Sequence, residues 1–187
     1  DTLFVTAPPL PNTSLTFTAD KDSVPTGAQA CVDVKVKNFT DIVAIQFGMT
    51  YDPTKLQFQS INAGANPLGV QTGVSGPNFV APPTIAAGTI RFIWDDSTAP
   101  FGVTVPDNTA IFSVCFTAVA PSGTTTPVTI GNVTGLPAAF AKEGVGEIPA
   151  VMNNGHVYTT AQQPCTVTGT ATNISCAGQN NGAINLT

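Results

Sequence analysis

Apolar and polar residues alternate at period two along most of this 187-residue chain. Val32, Val34 and Val36 alternate with Asp33, Lys35 and Lys37, and Phe112, Val114 and Phe116 stand in phase with one another. A β-strand sends successive side chains to opposite faces, so each such run turns one face to a core and the other outward. Helix-period patterns are nearly absent, and Gly, Pro, Asn and Asp cut the runs into short pieces. The chain is therefore expected to be all-β.

The runs predict strands near Ser14–Ala19, Gln29–Asn38, Ile42–Tyr51, Lys55–Ile61, Gly88–Asp95, Asn108–Ala118, Val128–Val133 and His156–Thr160, with weaker pieces near Val70 and Phe79. Turns are expected at Pro25 to Gly27, Asp52-Pro53, Pro106 to Asn108 and Pro121 to Gly123, because Pro presets φ and Gly or Asn tolerates positive φ. About nine short strands at this spacing predict an antiparallel β-sandwich of the jelly-roll kind. Period two places Val43, Ile45, Phe47, Met49 and Tyr51 inward, with Ala44, Gln46, Gly48 and Thr50 outward. Ile90, Phe92 and Trp94 line a second inward face, which makes Trp94 a core residue.

Charge narrows the function classes. Only 6 Lys+Arg and 11 Asp+Glu are present, 9% of the chain, with a net charge of −5. Ordinary soluble domains carry roughly 25% charged residues. Six scattered basic residues are too few for nucleic acid, whose affinity rests on clustered Lys and Arg. A hydrophobic content of 42% is too high for a disordered polar chain. No apolar run approaches the ~18 residues of a membrane span, so this segment is not expected to insert in a membrane. The chain starts at Asp1, without Met or a signal sequence, and reads as a processed or excised piece of something longer.

Composition shifts divide the chain into residues 1–13, an N-terminal strand and linker; 14–160, the sandwich; 161–164, a linker; and 165–187. The last stretch is too short to bury a core of its own. It reads as the first strands of another β domain or as a tail that joins a neighbour's sheet. Leu3, Phe4 and Val5 form a short apolar strand set apart by Pro8, Pro9 and Pro11, and Ile184, Asn185 and Leu186 form another at the far end. Both are candidates for strand addition to a sheet edge.

Four cysteines in so uncharged a chain point to disulfides and an oxidising compartment. Cys31 and Cys115 both fall on the polar phase of their strands. A bridge between them would cross two neighbouring strands on the outside of one sheet, and by the chain-entropy model is worth about 4–5 kcal/mol. Cys165 and Cys176 would close a shorter loop worth roughly 3 kcal/mol. Structural zinc would need closely spaced Cys or His, and the one His is His156. Catalysis is not expected: with a single His, no Ser/His/Asp triad, metalloprotease or phosphate-loop motif is present. The carboxylate pairs Asp20/Asp22 and Asp95/Asp96 read as polar strand ends, with calcium as the alternative. No other cofactor is expected.

The segment VPTGAQACVDVKVKNFTDIVAIQFGMTYDPTKLQF (24–58) resembles the opening half of a cohesin domain: a turn Pro/Gly, a strand of alternating valines, and a long strand ending in Tyr-Asp-Pro. GTIRFIWDDS (88–97), DNTAIFSVCFTA (107–118) and NNGHVY (153–158) are similar to its later strands. The resemblance spans roughly residues 14–160. It implies a nine-stranded jelly-roll sandwich and a protein partner held on the outer face of the strand ending in Tyr-Asp-Pro. On that face the resemblance places Ala44, Gln46 and Gly48, with Asp95 and Asp96 on a neighbouring strand. Ala44 and Gln46 stand where dockerin-binding cohesins carry Asn or Asp, which argues against the cellulosomal pairing. The tail Val167–Thr187 resembles the start of repeats in large bacterial adhesins.

Together these readings predict a non-catalytic, extracellular, cell-surface module of a multidomain bacterial adhesin or filament. Its partners would be neighbouring domains or subunits of the same protein. A carbohydrate-binding module is the alternative, with glycans as ligands. That reading needs exposed aromatic rings, and of the 14 aromatics Phe79, Phe101 and Phe140 fall outside the inward-facing runs.

Overall fold

Two β-sheets face each other across a layer of phenylalanine rings. The structure is a computed structural model that describes residues 14–96 and 102–162, and the backbone of 169–172 and 183–186. The first half of the chain contributes β1 (Leu15–Ala19), β2 (Lys21–Pro25), β3 (Gln29–Lys37), β4 (Phe39–Tyr51), β5 (Leu56–Asn62), β6 (Phe79–Val80) and β7 (Thr89–Asp95). The second half contributes β8 (Val103–Val105), β9 (Ala110–Ala118), β10 (Thr124–Gly131), β11 (Ala139–Lys142), β12 (Gly146–Glu147), β13 (Ala150–Asn153) and β14 (Gly155–Thr160). A separate antiparallel pair, β15 (Gly169–Thr172) and β16 (Ala183–Leu186), follows.

One sheet has five strands in the order β13-β1-β3-β9-β5. The other has nine, built on the path β12-β11-β4-β10-β14-β2, with β7 and β8 also pairing β4 and β6 pairing β7. The architecture is the all-β jelly-roll sandwich expected, with fourteen strands in the two sheets and two parallel pairings among antiparallel ones. These come from the chain ends. Between Ala19 and Lys21 the chain passes from the five-stranded to the nine-stranded sheet, and β13 and β14 make the same passage alongside, parallel to β1 and β2. The two crossings nearly touch: a Cβ on Gly155 would lie 2.1 Å from the Asp20 carbonyl oxygen, so only glycine fits.

Side-chain phase places the core as alternation predicts along β3, β7 and β9. Val32, Val34, Ile90, Phe92, Trp94, Phe112, Val114 and Phe116 are all buried. The Trp94 indole N–H donates to the Leu68 carbonyl at 2.8 Å, which satisfies its one polar atom. Strand β4 departs from strict alternation. Its register shifts between Phe39 and Ile42 against β8, and the facing strand β11 shifts at the same level. This bulge brings Ile42 into the core beside Ile45 and leaves Val43 half-buried, correcting its inward assignment.

Cys31 and Cys115 occupy directly opposed positions on β3 and β9 and are joined by a disulfide, with Cα atoms 4.1 Å apart. Cys31 is exposed on the outer side of that sheet. Its backbone N–H donates to the Asp22 carboxylate at 2.9 Å, so Asp22 tethers β2 to β3 where the sheets part. Asp20 pairs with Lys35 at 2.5 Å. Cys165 and Cys176, Phe101, and Leu3, Phe4 and Val5 lie outside the described residues.

Gly48 on β4 faces outward, yet it is buried. The segment 132–138 between β10 and β11 folds over it, and a Cβ at Gly48 would lie 2.2 Å from Val133 Cγ1. The Arg91 guanidinium donates to the Thr134 carbonyl at 2.6 Å, and the Gln46 side-chain amide to the Pro137 carbonyl at 2.8 Å. Gly48→Ala is expected to destabilise the fold by about 1–3 kcal/mol through this overpacking. Adding Val133→Ala should recover part of the loss, because it removes the two methyls that would lie 2.2 and 2.4 Å from the new Cβ. Urea melts of the single and double variants read out the coupling. Burial raises the Tyr51 hydroxyl above its ordinary 10.0. The folded chain then keeps a proton that the unfolded chain releases, so Tyr51's contribution is complete below pH 10 and is lost as pH climbs through the raised value. Denaturant midpoints should therefore fall in that alkaline range and fall less in Tyr51→Phe.

Candidate docking face

On the outer side of the nine-stranded sheet, three adjacent strands align their outward residues in rows. β11, β4 and β7 place Ala141, Ala44 and Asp95 in one row, and Ala139, Gln46 and Ile93 in the next. Strand phase creates the rows, and register makes them straight. A third row, with Gly48 opposite Arg91, lies under the segment 132–138. The two open rows floor a shallow concavity of about 300 Å³, with Glu147 at its rim.

The chemistry of this surface is apolar and sparsely charged. Three alanines leave the backbone close to the surface, and Ile93 stands out among them, 42% exposed on a strand where its neighbours in sequence are buried. Gln46 has its amide N–H group committed to the Pro137 carbonyl of the covering segment, which leaves its carbonyl oxygen available. Asp95 is exposed at one end and Glu147 at the other, so the face carries negative charge only at its margins. Val145, 65% exposed in the turn between β11 and β12, adds an apolar tip beside it.

Of the residues assigned to this face from sequence, Ala44, Gln46 and Asp95 lie together on it. Gly48 is covered by Val133 and is not exposed on it. Asp96 also falls away from it: it lies past the end of β7, partly buried, with its backbone N–H donating to the Val43 carbonyl at 2.7 Å. Sequence reasoning missed Ile93, Ala139 and Ala141. Ile93 reads as an outlier in alternation between Phe92 and Trp94, and that irregularity was the available signal. The alanines had none, because β11 was not expected as a strand.

Among the described residues one aromatic ring, Tyr158, is more than a third exposed, at 39%, which makes no row of rings for stacking on a sugar. Phe79 and Phe140, which fall outside the inward-facing runs of the sequence, are nonetheless buried, at 1% and 6% exposed. Phe79 stacks on Phe92 at 4.8 Å and Phe140 on Phe17 at 5.1 Å between ring centroids. Among the described residues no group of three or more His, Cys, Asp or Glu side chains could hold a metal ion. The carboxylates of Asp20 and Asp22 are engaged with Lys35 and with backbone N–H groups instead. No described helix is long and apolar enough to cross a membrane.

Comparison with known proteins agrees with this architecture. The Cohesin domain family model matches residues 15–158. The sixth cohesin of scaffoldin B from Acetivibrio cellulolyticus, solved in complex with a Cel5 dockerin variant, superposes with a TM-score of 0.63 at 22% identity, over 78% of this chain and 99% of that one. The seventh ScaB type I cohesin of Pseudobacteroides cellulosolvens gives 0.64 at 18% identity, over 82% and 96%. A non-cellulosomal cohesin from the archaeon Archaeoglobus fulgidus gives 0.58 at 17% identity, over 80% and 94%. No curated protein matches the chain. At these identities the structural likeness speaks for the fold, and the family match over most of the chain speaks for descent. The chain belongs to the cohesin family of non-catalytic protein-interaction modules.

Proposed function

We propose that this domain is a docking module of a multidomain extracellular bacterial protein, and that it holds a dockerin-type partner on the face formed by Ala44, Gln46, Ile93, Asp95, Ala139 and Ala141. The observation that carries the proposal is the exposed Ile93 on a floor of alanines. An apolar anchor surrounded by small residues suits a helix or strand laid flat across the sheet, because it lets the partner's backbone approach closely. Several structural neighbours were solved with dockerins, including the third ScaC cohesin of Acetivibrio cellulolyticus with the ScaB dockerin.

The surface-protein context rests on three supports. The Cys31–Cys115 bridge suits an oxidising compartment. Low charge suits a module packed against neighbours. The tail at 167–187 resembles adhesin repeats, so residues 165–187 would begin the next domain of an adhesin or filament, after a linker at 161–164. A partner for such a face differs from those of cohesins with polar Asn or Asp contacts: it should present an apolar stripe, with Lys or Arg positioned for Asp95 and Glu147.

Titration calorimetry against a panel of dockerins tests the reading. At least one should bind, and Ile93→Asp should weaken it by roughly 30-fold or more, as loss of an anchor worth about 2 kcal/mol does. Gln57→Asp, on the outer side of the other sheet, should leave binding unchanged. A panel without a binder, or a binder indifferent to Ile93→Asp, overturns the proposal.

A further inference from the structure

The five-stranded sheet is open along β13. In the order β13-β1-β3-β9-β5, β13 is an edge, paired to β1 alone. An edge strand presents a row of backbone N–H and C=O groups that can template another strand. Beside it runs a groove of about 630 Å³ between β13 and the start of β11, lined by Phe140, Ile148, Pro149, Ala150 and Met152. Ala138, Ile148, Ala150 and Met152 pack on the core but are only partly buried, so the groove is hydrophobic surface half covered. Glu147 is the charged residue in its lining.

Strand β1 begins at the head of this groove, with Leu15 opposite Ala150 at the start of β13, and residues 1–13 precede it in the sequence. Their sequence carries no charge from Thr2 to Thr13 and includes Leu3-Phe4-Val5 between two threonines. Period two would put Leu3 and Val5 on one side of an added strand, matched in character to the groove. We propose that the groove receives Leu3-Phe4-Val5 of a second copy of this chain, added as a strand along β13, so that copies join head to tail.

The prolines decide between a neighbour's groove and the chain's own. Pro8, Pro9 and Pro11 lie between the apolar segment and β1, and each fixes φ and favours the extended polyproline conformation. At a rise of about 3.1 Å per residue, residues 6–13 reach roughly 25 Å. Folding back from β1 past β13 requires only two strand spacings, about 10 Å. A stiff spacer of that reach overshoots its own groove and delivers the segment to the next molecule. Donor and acceptor are then different surfaces, so the contact propagates into an open chain of copies. The added strand would pair with β13, on the other sheet from the docking face, although the groove shares Ala139, Phe140 and Glu147 with that face's concavity.

Light scattering on the full chain over a concentration series tests it. Mass should rise through multiples of the monomer, and deletion of residues 1–7 should return the chain to monomer with an unchanged circular dichroism spectrum. A peptide of residues 1–7 should bind the deleted chain, at least tenfold more weakly when Met152→Glu is added. In a Leu3→Cys/Met152→Cys variant, non-reducing gels should show covalent multimers that neither single variant forms. A full chain that stays monomeric, oligomers that survive the deletion, or a cross-link confined within one chain would each overturn the proposal.

Discussion

Phe17 and Phe112 from the five-stranded sheet meet Phe47 and Phe92 from the nine-stranded one, with ring centroids 4.7 to 6.2 Å apart along the chain of contacts. Phe79, Phe140, Phe39 and Trp94 extend the same cluster toward its edges. Each ring buries a large apolar area, and tilted and offset contacts add to that burial. Because interiors are close-packed, the cluster sets both the spacing and the rotation of the sheets. It also commits one phase of β1, β4, β7 and β9 to the inside. The opposite phase of β4 and β7 is thereby forced outward, and the candidate docking face is the other side of the aromatic core.

That dependence explains why the face is built from small residues. Phe47 and Phe92 hold β4 and β7 rigidly in register, so Ala44, Gln46, Ile93 and Asp95 form straight rows without needing large side chains to brace them. Phe140, stacked on Phe17, fixes β11 in the same way and brings Ala139 and Ala141 alongside. The segment 132–138 then limits the face by covering Gly48 and engaging Arg91 and Gln46. What remains open is uncharged at its centre and acidic at its margins, a surface suited to apolar contact with peripheral steering.

Most of the sandwich was legible because alternation carries the information: β3, β7 and β9 read directly from Val32-Val34-Val36, Ile90-Phe92-Trp94 and Phe112-Val114-Phe116. The phase of Cys31 and Cys115 likewise indicated the outside of one sheet. The bulge at Val43 was hidden, because an inserted residue changes phase without changing composition. Strand β10 was expected to start at Val128; it starts at Thr124 and carries Pro127 opposite His156. Proline normally argues against an interior strand, yet Pro127 sits in one, between β4 and β14. The short strands from Ala139 to Asn153 were invisible locally, since they exist through pairing with β4 and β1 rather than through their own periodicity. Ala139 and Ala141 of the candidate docking face lie in that same stretch.

The central claim is that a protein partner sits on the outer side of β4, β7 and β11. Methyl chemical-shift mapping on addition of a bound dockerin-type partner tests it most directly. The account predicts that the largest shifts fall on the methyl groups of Ala44, Ile93, Ala139 and Ala141. Shifts clustered instead on Thr16 and Thr18, on the outer side of the five-stranded sheet, would contradict it.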